Sequence, residues 1–113
     1  MKNLDGINVW NRSCNMAIRT HKALGPCPDP NFRERITRAS LAVASNIAAG
    51  YERNSTWQFR QYLNKANGSC AELRTQLYIA AELGIIDHAQ STNLIAETLE
   101  ISTLLRSLIT STI

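Results

Sequence analysis

A chain of 113 residues, 44% of them hydrophobic and 19% charged, has the size of one ordinary domain and apolar side chains for a single core. No run approaches the roughly 18 apolar residues that a bilayer crossing needs, and Asp5 stands where a secretory segment would be apolar, so a soluble, cytoplasmic protein with no membrane role is expected. The net charge of +3 is unevenly spread: residues 1–44 hold seven Lys/Arg against three acids while the remainder is slightly acidic, which suits either an anionic partner or head-to-tail pairing between copies.

The first helix is expected over about 5–24, where Ile7, Trp10, Cys14, Ile18 and His21 recur at steps of three and four and form the apparent core stripe. Gly25 followed by Pro26 ends it. Arg12, Arg19 and Lys22 share another face of this helix that has no acid on it.

The second helix, about 30–53, restarts after Asp29, a good N-cap, with Pro30 at the first helical position. Its core stripe is Phe32, Ile36, Ser40, Val43 and Ile47. Leu41, Ala44 and Ala48 form a second apolar set on another side, more than one core face accounts for, and they are the candidate oligomer interface. Arg35 and Arg53 are eighteen residues apart and share an azimuth, with Arg38 nearby. Asn46, in mid-helix, carries two donors and an acceptor; Ser45 and the polar run Asn64, Asn67 and Gln76 are its expected partners, making it a lock on helix register.

The third helix, about 56–83, opens with Ser55 and Gln58 in capping-box spacing and has the cleanest stripe: Phe59, Leu63, Ala66, Cys70, Leu73, Leu77 and Ala80. Gly68 lies inside it and reads as a point of close approach by another helix. Leu83 and Gly84 close it, and Asp87 with Gln90 opens the fourth helix, about 88–111, carried by Leu94, Ile101, Leu105 and Leu108. The fold class expected is all-α, an antiparallel up-down-up-down four-helix bundle filling residues 1–113 as one domain.

Nothing in the sequence reads as catalytic. His21 and His88 lack the helical Glu or His partners of a bundle metal site, and the scattered glycines make no phosphate loop. Cys14, Cys27 and Cys70 form neither a disulfide framework nor a zinc set. No enzyme, metal or cofactor is expected. The candidate nucleic-acid ligands are Arg35, Arg38, Arg53, Arg60 and Arg74, whose guanidinium groups could follow phosphates without reading bases or could simply be solvated. Trp57 and Tyr62 have two readings as well, stacking on bases or packing on the third-helix seam.

Three stretches carry a family resemblance: Ser45-Asn46-Ile47-Ala48-x-Gly50 with Arg53 and Ser55; Ala66-x-Gly68-Ser69-x-x-Glu72-Leu73-x-Thr75-Gln76-Leu77; and Leu83-Gly84-x-Ile86. In these the chain resembles the small four-helix bundle proteins encoded by intervening sequences of bacterial 23S ribosomal RNA genes. The same fold looks like that of the accessory variability proteins of diversity-generating retroelements. The resemblance implies a homopentameric ring with a basic surface, and partners drawn from other copies of the chain, RNA or DNA, and a reverse transcriptase. It also marks Ser45, Asn46, Gly50, Gly68, Glu72 and Gln76 as structural motif positions. The family pattern has Pro before the Ser-Asn pair and Glu after the following Ala, where this chain has Ala44 and Ala49, so its second helix should be straighter. A purely structural or protein-interacting oligomer is the alternative expectation.

Overall fold

Helices begin where a short polar side chain can accept the free N–H groups of a first turn. Asp29 accepts from the backbone of Asn31 and Phe32 at 3.1 Å, Ser55 from Gln58 at 3.2 Å and Asp87 from Gln90 at 3.2 Å. The computed structural model describes residues 4–112, the side chains of Leu4 and Asp5 excepted. Its helices are α1 (Leu4–Leu24), α2 (Pro30–Tyr51), α3 (Thr56–Glu82) and α4 (His88–Ser111). Gly25 and Gly84 follow α1 and α3 with φ of 51° and 75°, the left-handed conformation that turns the chain without a Cβ penalty.

The four helices form an antiparallel bundle measuring 43 × 22 × 18 Å, in which each helix packs on its two neighbours in the cycle α1, α2, α3, α4 and none reaches across the diagonal among the described residues. The α2–α3 seam is the most extensive and the α1–α4 seam the least. Ile36, Val43 and Ile47 of α2, Leu63, Ala66, Cys70, Leu73, Leu77 and Ala80 of α3, and Leu94, Ile101, Leu105 and Leu108 of α4 fill the core, as their spacing anticipates.

The first helix is turned differently from its apparent stripe. Val9, Ser13, Met16, Thr20 and Leu24 face the core, whereas His21 is exposed, Ile18 is 52% exposed and Trp10 and Cys14 are only partly covered. The rotation is roughly a quarter turn. It is possible because the Ser13 and Thr20 hydroxyls donate to the carbonyls of Val9 and Met16 at 2.8 Å, so two polar residues enter the core already satisfied. In the sequence these two residues break the apolar stripe, and the eye follows the neighbouring one.

Two further expectations are corrected. Gly68 is exposed and a Cβ built there would meet nothing within 4 Å, so no helix approaches it among the described residues; the close approaches fall at Gly6, where a Cβ would collide with the Tyr51 ring, and at Gly50, where a Cβ would come 3.1 Å from the Cβ of Tyr62. Asn46, half-buried, donates to the carbonyl of Ala42 at 2.9 Å within its own helix, and no bond joins it to Ser45, Asn64, Asn67 or Gln76 among the described residues. A carboxamide in mid-helix finds the carbonyl one turn back before it finds another helix.

Candidate functional site: an apolar groove and a divided set of cations

The quarter turn of α1 leaves Trp10, Cys14, Ile18 and His21 on its flank, where they meet Leu41, Ala44, Ser45 and Ala48 of α2 across an open groove of about 670 Å³. The residues that looked like the core of α1 and the second apolar set of α2 thus line one trough. Leu41 is 54% exposed, and Ala44 and Ala48 are half-covered. Thr37 borders the groove with a buried hydroxyl that has no partner among the described residues. Burial pushes the Cys14 thiol above its ordinary range. Toward the α1–α2 turn a second hollow, which shares His21, Thr37 and Leu41 with the groove, is lined by Arg33 and Arg38; Arg33 donates to the Gly25 carbonyl and lies 3.5 Å from the His21 ring nitrogen.

The structure separates the five candidate arginines. Because α2 stops at Tyr51, where the N–H of Glu52 turns back to the Ala49 carbonyl and that of Arg53 to the Gly50 carbonyl, Arg53 lies in the α2–α3 turn and does not share a helix with Arg35. Its guanidinium donates to the Tyr62 hydroxyl at 2.7 Å and sits 4.8 Å from that ring's centroid, with the Lys65 ammonium at 4.6 Å. Arg60 donates to the Thr112 carbonyl at 2.8 Å. Arg74 lies between α3 and α4, donating to the hydroxyls of Thr98 and Ser102 at 3.0 Å. Arg38 pairs with Glu34 one turn earlier, and Arg35 is exposed. Arg35 and Arg38 stand near the start of α2, Arg53 and Arg60 at the opposite end of the bundle, and Arg74 inside a seam.

Of the face that Arg12 shares with Arg19 and Lys22, Arg12 is compensated from another helix. Arg12 reaches α4, pairing with Glu97 at 2.7 Å and also with Glu100. These two carboxylates hold the guanidinium protonated still more firmly than usual. The acids are 85 and 88 residues away in sequence, which is why no local pattern reveals them. Lys2, counted in the basic half, lies outside the described residues.

Among the other motif positions, Ser45 is exposed at the groove, Glu72 is exposed and accepts from Gln76 at 3.3 Å, and the Gln76 side-chain carbonyl oxygen is buried without a partner among the described residues. Those residues include three free cysteines, no group of three His, Cys, Asp or Glu placed for a metal ion, and no helix long and apolar enough to cross a membrane.

The family described as 23S rRNA-intervening sequence protein matches residues 5–107. Among solved structures, the chain is similar to a protein of unknown function from the S23 ribosomal protein family of Bacteroides thetaiotaomicron VPI-5482, with a TM-score of 0.87 and 22% identity over 95% of this chain and 99% of that one. No curated protein matches the chain.

Proposed function

The chain belongs to the 23S rRNA-intervening sequence protein family, and from that premise and its own surface we propose that it is a non-enzymatic bundle that acts by association. Copies cover the α1–α2 groove against one another, in the ring of five that the family resemblance implies, and the assembled cations bind nucleic acid or a protein that carries it, such as a reverse transcriptase. One observation carries this reading: an apolar trough of about 670 Å³ running between two helices whose outward residues include Trp10, Ile18 and Leu41. Water against that surface is unfavourable, and burial contributes about 25 cal/mol per Å² of apolar area.

The alternative, in which the basic first half of one copy meets the acidic fourth helix of the next, has less support. Glu97 and Glu100 are already engaged by Arg12 of the same chain. Light scattering after size exclusion tests the reading: the native chain should elute as a defined oligomer, and Leu41→Glu should elute as a monomer with its helical circular dichroism intact. A monodisperse monomer of the unmutated chain at micromolar concentration overturns it.

A further inference from the structure

The outer face of the first half of α3 combines cations with an exposed indole. From Arg53 to Ala71 there is no Asp or Glu, while Arg53, Arg60 and Lys65 are interleaved with Trp57, Phe59 and Tyr62. Phe59 and Tyr62 turn inward, Phe59 against Tyr51 and Tyr62 under its two cations. Trp57 does not pack: it is 67% exposed on the first turn of the helix.

Trp57, Gln61, Asn64 and Gly68 follow one another at steps of four, three and four, so they form a single outward stripe, and all four are exposed. The stripe therefore runs from a bare indole, past two carboxamides, to a helical glycine over which the space is open. Glycine in mid-helix is unfavourable relative to alanine. Nothing among the described residues requires it at position 68, whereas a molecule approaching from outside could come close to the helix backbone there.

Deepening the nucleic-acid part of the function proposed above, and resting on it, we propose that this stripe is a platform for single-stranded nucleic acid. A base stacks on Trp57, the carboxamides of Gln61 and Asn64 meet exposed base edges, and Lys65 and Arg53, held over the Tyr62 ring, face the phosphates. Gly68 leaves room for the sugar-phosphate chain beside the helix. The occupant is single-stranded because a duplex keeps its base faces stacked on one another and offers none to an indole, whereas every unpaired base has a free face. The acid-free stretch supplies the complementary charge.

The test is fluorescence anisotropy with a labelled oligouridylate of about 12 nucleotides, within the site sizes that stacking surfaces cover, used alone and annealed to oligoadenylate, with light scattering run in parallel. The unmutated chain should prefer the single strand, and Trp57→Ala should weaken that binding by about 10-fold while leaving the duplex little changed. Gly68→Leu, whose Cβ would meet nothing within 4 Å among the described residues, should melt no lower than the native chain, leucine being the better helix former, and yet lose single-strand affinity. An unmutated chain that binds neither form overturns the parent reading together with this one. Binding that both variants leave intact overturns the platform alone, as does an oligomer that dissociates in Trp57→Ala, which would assign the indole to a subunit contact.

Discussion

Arg74 looks in the sequence like one more cation on a helix face, and in the fold it is a brace. Its guanidinium bonds the hydroxyls of Thr98 and Ser102, which are themselves buried. Arg74→Ala would leave both without that donor, and should cost about 1–3 kcal/mol of stability in urea denaturation. Lys would restore the charge but not the fork, so Arg74→Lys should recover only part of it. Cys70, deep in the same seam, has its thiol pushed up by burial to about 11 from 9.0. Above pH 9 the unfolded chain releases that proton while the folded chain keeps it, so stability is complete below pH 9 and falls toward pH 11, by about 2 kcal/mol if Cys70 acts alone. Denaturation of the native chain and Cys70→Ala across that window should differ in slope, the variant lacking this loss. Asn46 donates to its own helix, so Asn46→Ala should change stability by less than about 1 kcal/mol and leave the oligomer intact; a dissociated variant would restore its role as a lock on register.

At the scale of elements, α1 is the helix least firmly held, with the thinnest seam in the bundle on its α4 side. Arg12 pairs with Glu97 and Glu100 across that seam and ties the two helices together. Hydrogen exchange should therefore show α1 opening at lower free energy than α3, and Arg12→Gln should widen the difference. Equal protection of the two helices would contradict this. The third helix is the opposite case: its heptad stripe is continuous and wholly inward, and its one weak point, Gly68, faces outward. Gly68→Ala should accordingly stabilise the fold by ~1 kcal/mol in thermal or urea unfolding.

For the whole molecule, the apolar groove and the charge distribution predict different responses to salt. An oligomer that buries Ile18 and Leu41 should persist, or tighten, at molar sodium chloride, because screening weakens ion pairs and leaves apolar burial in place. Any binding to nucleic acid should weaken over the same range with a slope set by the number of phosphates neutralised. Light scattering and anisotropy on one salt series separate the two; an assembly that dissociates on screening would favour pairing between unlike charged faces.

All four helices, and the starts of α2, α3 and α4, are legible in the sequence, since caps and a 3.6-residue apolar period are local properties that neighbouring residues state together. Asp29, Ser55 and Asp87 cap where their spacing says, and the stripes of α2, α3 and α4 point inward. The rotation of α1, the pairing of Arg12 with two distant acids, the division of five similar arginines into brace, turn and surface, and the emptiness over Gly68 were decided only by tertiary packing. Each depends on which residues from far along the chain arrive at the same place. A serine or threonine that satisfies its own hydroxyl can enter a core as readily as an alanine, and only the shape of the opposing helices selects which of two neighbouring stripes is buried.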